Sequence, residues 1–226
     1  MKRIEQQWMD IDFSGEKVWS TEKHDVYRQQ KSGADIVVFT LPCGKKKISA
    51  SEAMLTKLGI AGDTQTRPND LEEALADIKL HAEDAIFVSH PKMVSHEPDD
   101  VCCRLLTQDD TNVFNNFTQN ISEEDLDNAY VELDHWEVYG AFVDGELVSA
   151  SSVYPWQETT FLDLGVVTTP KYRGKGIGKA LVSFIAKKVE PRGYCVQYRS
   201  QLDNHASLKL ANSLDLVLLG YWSPLE

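Results

Sequence analysis

The sequence predicts a mixed α/β fold, and three observations carry that expectation. Strand-sized apolar runs alternate with amphipathic stretches, so that residues 99–222 read strand, helix, helix, three strands, helix, strand, helix, strand. Ile177, Leu181, Phe184 and Ile185 fall on one face at helical spacing. Asp144-Gly145 stands between two apolar runs, a strong hairpin signal.

Taken in order, Ala34–Leu41 reads as a buried strand. Ser49-x-x-Glu52 has the spacing of a capping box and opens a helix through Leu58, which Gly59 ends. Asn69 caps a second helix to about Leu80, and Ala85–Ser89 reads as another strand. Prolines and polar residues from His90-Pro91 to Pro98 mark a soft boundary. Beyond it come a strand at Val101–Leu106 and a mostly helical stretch from Asp109 to His135, broken near Asn120-Ile121-Ser122, where Ser122 starts a new helix. Strands follow at Val138–Val143, Leu147–Val153 and Thr160–Val167, then a helix at Ile177–Val189 stopped by Pro191-Arg192-Gly193. A strand at Tyr194–Arg199, a helix capped by Asn204 and running to Leu214, and a strand at Leu216–Trp222 close the pattern. Residues 1–98 thus form a smaller α/β region without an identifiable chemical motif, and 99–226 a second domain.

At 226 residues and 25.5 kDa, such a chain buries roughly 70% or more of its unfolded surface and needs no staples. No apolar run approaches the ~18 residues of a membrane span. The start, MKRIEQQWMDIDF, has no apolar signal-peptide core. The expectation is a cytoplasmic protein without a membrane partner. Cys43, Cys102, Cys103 and Cys195 lack CxxC spacing, and the six histidines show no metal-ligand spacing, so reduced thiols and no metal are expected.

A formal charge of −12 argues against nucleic acid as a partner. The distribution says more: residues 99–139 hold eleven acidic side chains and one basic, whereas 163–199 hold eight basic and two acidic. A basic island in an acidic chain suits a local anionic ligand, and the acidic segment suits a cationic acceptor or a solvated helix face.

The basic island contains the stretch that carries chemistry, Thr168-Thr169-Pro170-Lys171-Tyr172-Arg173-Gly174-Lys175-Gly176-Ile177-Gly178-Lys179, between a buried strand and an amphipathic helix. Glycines there let backbone N–H groups at a helix N-terminus approach a phosphate, and the lysines and arginine add full charges. It is not a P-loop, because Gly178-Lys179 follows Arg173 at the required spacing and precedes Ala180. Nor is it a dinucleotide fingerprint, since Gly174, Gly176 and Gly178 are evenly spaced.

Arg173, Gly176 and Gly178 spell R-x-x-G-x-G, which resembles the acyl-CoA pyrophosphate loop of the GNAT acetyltransferase superfamily. The longer block Gly165–Leu181, with its V-x-T-x-P element, is similar to one branch of that family, and Asn204-x-x-Ser207-x-x-Leu210-Ala211-x-x-Leu214 resembles the branch's second block. The resemblance covers roughly residues 99–222. It implies a mainly antiparallel GNAT-type sheet flanked by helices. It also implies an N-acetyltransferase using acetyl-CoA, with a small-molecule or peptidic amine as acceptor and no metal. By resemblance, the backbone of Val166, Val167 and Thr168 pairs with the pantetheine arm. Arg173, Gly174, Lys175, Gly176, Ile177, Gly178 and Lys179 wrap the pyrophosphate, and Asn204 and Ser207 meet the arm near the sulfur. A homodimer is compatible with it, and residues 1–98 read as a cap or a degenerate second GNAT half.

Catalytic candidates are thinner. Transfer to an amine requires the neutral amine, so a base is useful, and Asp163 and then Glu158 are the candidates. The family's acid is often a tyrosine at the position of Ala211, so Tyr198, Tyr154, Tyr221, Ser207 or solvent is left to protonate the thiolate. That departure keeps a second reading open, a non-catalytic acyl-CoA-binding module.

Overall fold

The computed structural model describes residues 2–30, 33–60, 71–91, 93 and 98–226; the expected cap Asn69 lies outside them, as does most of the expected boundary. In chain order the elements are α1 (Lys2–Asp12), β1 (Lys17–Ser20), β2 (His24–Arg28), β3 (Ile36–Thr40), β4 (Lys46–Ala50), α2 (Glu52–Lys57), α3 (Leu71–Ala76), β5 (Asp84–Val88) and β6 (Cys102–Leu106). There follow α4 (Thr111–Thr118), α5 (Glu123–Ala129), β7 (Glu137–Val143), β8 (Glu146–Pro155), β9 (Phe161–Thr168), α6 (Ile177–Val189), β10 (Cys195–Gln201), α7 (His205–Ser213) and β11 (Val217–Pro224). The architecture is mixed, mainly antiparallel α/β. No helix among the described residues is long and apolar enough to cross a membrane.

The chain divides into two compact units. The first comprises Met1–Ile86, Ser200–Asp203 and Leu218–Glu226; the second comprises Phe87–Arg199 and Asn204–Val217. In the first, the strand order is β1-β2-β4-β3-β11, with β2 and β4 parallel and the other pairs antiparallel. Val26, Ile36, Val38, Ile48, Leu55 and Leu71 build its core, and α1 adds Trp8, whose ring lies 4.5 Å from that of Phe39. The helix expected from a Ser49 cap is instead capped by Ser51, whose hydroxyl accepts from the Met54 amide. Ser49 is a buried β4 residue: the strand runs through Ala50 and pushes the helix start two residues on. Gly59, at φ +71°, follows the helix as expected.

Asp25 on β2 is 6% exposed. Burial pushes its carboxyl up, but hydrogen bonds from Ser20, Lys45 and Lys17 outweigh that and bring it down to about 2. In the unfolded chain the carboxyl titrates near its ordinary 3.8. As pH falls, the unfolded state therefore binds the proton first, and the stabilisation present above pH 4 is lost towards pH 2. We expect about 2 kcal/mol to disappear across that window, and an Asp25→Asn variant followed by circular dichroism to be less stable at pH 6 but to lack that loss.

In the second unit the strand order is β10-β9-β8-β7-β6. The β7–β8 hairpin turns at Asp144 and Gly145, both left-handed at φ +51° and +81°, as the sequence signal requires. Ser122 caps α5, accepting from the Asp125 amide. The helical stretch expected to reach His135 ends at Ala129 because Tyr130 turns left-handed (φ +47°, ψ +57°). The end of α5 lies directly on β9: a Cβ on Gly165 would sit 1.9 Å from the Ala129 carbonyl oxygen, so only glycine admits this contact. Leu106, Phe114, Phe117, Ile121, Val138 and Val167 form the core beneath α4 and α5.

Candidate functional site

Two geometrical features of β9 define the site. Its pairing with β10 is parallel and ends at Gln197 opposite Asp163 among the described residues, while β9 runs on to Thr168. On its other side β9 pairs with β8 along its length, from Pro155↔Leu162 to Ser149↔Thr168. The Thr169 amide donates to the Val148 carbonyl, which makes Ser149↔Thr168 a non-hydrogen-bonded pair and Ala150↔Val167 a hydrogen-bonded one. The Val167 peptide therefore faces β8, and the peptides of Val166 and Thr168 face the opened side. The Thr168 carbonyl confirms the direction, accepting from Arg173 Nε at 2.9 Å. Of the three backbone positions expected to meet a pantetheine arm, the structure turns Val166 and Thr168 towards the gap and Val167 away from it.

Beyond Thr168 the chain makes a 3-10 turn at Pro170–Tyr172 and then the glycine loop. Gly174 (φ +75°) and Gly176 (φ +80°) are left-handed, which a β-carbon disfavours. Gly176 is the N-cap of α6 and has no side chain to cap it, so the first amides of that helix are left for an outside acceptor. Ile177 is buried and anchors the helix end. A Cβ on Gly178 would meet Thr168 Oγ1 at 3.4 Å, Leu210 at 3.9 Å and Val166 at 4.0 Å, ordinary contact distances. The protein's own packing thus does not demand glycine at 178, although glycine costs a helix about 1 kcal/mol relative to alanine. Arg173, Lys175 and Lys179 surround this helix end in sequence. The Arg173 guanidinium also bonds Asp125 Oδ2 at 2.9 Å. That contact and the Ser122 hydroxyl, the larger cause, hold the Asp125 carboxyl below its ordinary range. Lys175 lies over the Tyr172 ring, 4.8 Å from its centre.

Side chains alternate across β8 and β9. Val166 and Thr168 face α6, whereas Asp163, Gly165, Ser152 and Tyr154 share the face that carries α5. Asp163, 4% exposed, sits where the β9–β10 pairing ends. Its Oδ1 accepts from Gln197 at 3.1 Å; its Oδ2 accepts from Arg199 Nη2 at 3.0 Å and Nε at 3.2 Å and from the Tyr154 hydroxyl at 3.2 Å. Burial, with the Asp163 charge next, pushes the Tyr154 phenol up to about 12. Glu158 is exposed in the turn before β9, three residues ahead of Phe161.

Tyr198 on β10 is 4% exposed. Burial raises its phenol, against a hydrogen bond with Ser207. Asn204 Oδ1 accepts from the Ser207 amide at 3.0 Å, so the expected pantetheine contact is also the N-cap of α7. Ala211 is fully buried on that helix. The Cys195 thiol is pushed up by burial and bonds the Ser89 carbonyl at 3.3 Å, which suits an inert thiol rather than a nucleophile.

Three residues of the α5 face escaped the sequence reading. Tyr130 is 54% exposed. The His135 ring lies 4.8 Å from that of Tyr130 and 5.3 Å from that of Tyr154. Ser152 bonds both His135 and the Tyr130 carbonyl. No local pattern marks them, since the loop, helix end and strand that carry them meet only through space.

Residues 105–215 match the acetyltransferase (GNAT) family. Among solved structures, the chain is similar to a GNAT-family protein from Novosphingobium aromaticivorans DSM 12444, with TM-score 0.50 and 18% identity over 66% of this chain and 65% of that one. It is also similar to an acetyltransferase from the GNAT family from Colwellia psychrerythraea, with TM-score 0.51 and 14% identity over 76% and 70%. The ribosomal-protein-alanine N-acetyltransferase from Brucella melitensis biovar Abortus 2308 shares 27% identity at TM-score 0.40 over 50% of this chain and 89% of that one. The chain thus spans just under two thirds of the first of these structures, and no curated protein matches it.

Proposed function

Because residues 105–215 belong to the GNAT acetyltransferase family, we propose that the chain transfers an acetyl group from acetyl-CoA to an amine acceptor by direct attack, without a covalent acyl-enzyme. One observation carries this reading: the outward peptides of Val166 and Thr168 run straight into an uncapped helix end flanked by left-handed glycines. An extended arm bearing a diphosphate has that shape and that hydrogen-bonding need. Gly178 supports the fit, because its missing Cβ leaves room next to Thr168 that internal packing does not require.

Acetyl-CoA supplies the activated acyl group. The helix amides from Ile177 to Lys179, with Arg173 and Lys175, hold its diphosphate; Gly174 and Gly176 let the loop close around it. The Val166 amide is the donor aimed at charge developing on the acyl oxygen, and Asn204 and Ser207 line the sulfur end. Tyr198, hydrogen-bonded to Ser207, stands in for the tyrosine that Ala211 replaces and returns a proton to the departing sulfur. Asp163, with both oxygens engaged, anchors Arg199 and Tyr154 on the acceptor face. Glu158, exposed, supplies negative charge for a cationic acceptor.

Thermal unfolding of the full chain with acetyl-CoA, CoA, ATP and NAD tests the reading. A ligand at ~100 times its Kd adds about 2.7 kcal/mol, a midpoint rise of roughly 5–10 °C for a chain of this size. The rise is expected with acetyl-CoA and CoA and not with ATP or NAD; no rise with either CoA species would sink the proposal.

A further inference from the structure

The proposed transfer needs a group that takes a proton from the acceptor, and the face carrying Gly165 and Ser152 holds one that is already oriented. The Ser152 hydroxyl donates to the Tyr130 carbonyl at 3.3 Å. The same oxygen lies 2.8 Å from His135 Nδ1, and with the hydroxyl proton on the Tyr130 carbonyl it accepts from the ring. In that arrangement the neutral imidazole is the Nδ1–H tautomer, with its lone pair on Nε2. Nε2 faces Glu132 Oε2 at 3.8 Å, too far for a direct hydrogen bond. Tyr130 and Tyr154 hold the ring from two sides, at 4.8 and 5.3 Å between centres.

The position is also right. Ser152 pairs with Gly165, the residue before Val166. The left-handed Tyr130 that accepts from Ser152 lies over Gly165 itself, its carbonyl oxygen 3.2 Å from where a Cβ would be. His135 thus stands one side chain away from the strand position whose neighbour turns its peptide to the acyl arm.

We propose that His135 is the general base of the reaction and that the acceptor is a cationic primary alkylamine; this rests on the acetyltransferase reading above. Nε2 takes one proton from the acceptor ammonium, giving the imidazolium and a neutral amine. The amine lone pair forms the C–N bond as the C–S bond breaks, and the thiolate leaves with the sulfur electrons. A second amine proton ends on that sulfur through Tyr198 and Ser207, and the imidazolium returns its proton to water, so one proton is released per turnover. Charged and titratable neighbours of the ring are Glu132 and Asp134 on its own segment, Tyr130 at the end of α5 and Tyr154 on β8. The two carboxylates favour a cation beside Nε2.

The test compares full-length wild type, His135→Gln and Ser152→Ala in acetyl transfer to putrescine, spermidine and N-α-acetyl-lysine between pH 5.5 and 9, with acetyl-CoA binding measured in parallel. His135→Gln should lose about 10²–10⁴-fold in kcat/KM, lose the fall in rate that wild type shows on the acid side, recover in part with added imidazole, and still bind acetyl-CoA. Ser152→Ala, a small truncation, should cost about tenfold by freeing the ring to take the other tautomer. A His135→Gln enzyme within threefold of wild type that keeps the acid limb overturns the base while leaving the acetyltransferase reading standing. Wild type that binds acetyl-CoA but acetylates none of the amines overturns both.

Discussion

Arg199→Met is expected to destabilise the protein by about 3 kcal/mol, seen as a fall of roughly 6–12 °C in the melting midpoint. The cost lies less in the lost attraction than in what remains. Asp163 is 4% exposed and receives two of its hydrogen bonds from the Arg199 guanidinium, so removing that cation strands a carboxylate in the interior with Gln197 and Tyr154 as partners. Methionine keeps much of the apolar stem, which also packs its guanidinium 4.7 Å over the Trp156 ring in the native chain. Adding Asp163→Asn to the same chain removes the stranded charge and should recover more than half of the loss. A single variant that melts within 1 °C of wild type would show that the pair carries no net stability, in line with surface pairs rather than buried ones.

Gly178→Ala is expected to move stability and ligand affinity in opposite directions. In the free protein the new methyl meets only ordinary contacts, at 3.4 Å and beyond, and α6 gains the propensity that glycine withholds, up to about 1 kcal/mol. With ligand, the same methyl intrudes between the helix end and Thr168, where the diphosphate is proposed to lie. Overpacking of that kind costs about 1–3 kcal/mol, a loss of roughly fivefold to 150-fold in CoA affinity. Calorimetric titration with CoA and a thermal scan without it read the two effects separately. An unchanged affinity would place the diphosphate elsewhere, and a lowered midpoint without ligand would mean that the helix end is tighter than its contacts indicate.

The loop from Thr168 to Lys179 is legible in sequence because everything it needs is local: glycine at left-handed positions, charge beside them, and an apolar helical face immediately after. The same holds for Asp144-Gly145, for Ser122 and for Asn204, each a turn or cap whose partner lies two or three residues away. What sequence spacing does not reveal is built through space. Gly165 is glycine because the end of α5 rests on it, which only the packing of two distant segments discloses. His135 reads as one of six scattered histidines until Ser152 is seen bonded to its ring and to the Tyr130 carbonyl. Asp163 reads as an available base until four donors are seen on its two oxygens. The first unit is less legible still: β1, β2 and β4 are short, and β2 is buried along most of its length, with no alternation to betray it.

The antiparallel pairing of β11 with β3, from Tyr221↔Thr40 to Pro224↔Val37, sets a schedule for the ribosome. The first unit's sheet has β3 inside it, between β4 and β11, yet β11 is translated roughly 180 residues after β3, a wait of about 10–35 s at usual elongation rates. Throughout that interval Ile36-Val37-Val38-Phe39 presents one bare backbone edge on a strongly apolar strand, the profile of a segment that recruits other chains. A nascent chain paused anywhere between β4 and β11 is therefore the species in greatest need of a chaperone, and codon choice over residues 50–217 would govern yield more than it governs the finished protein's stability.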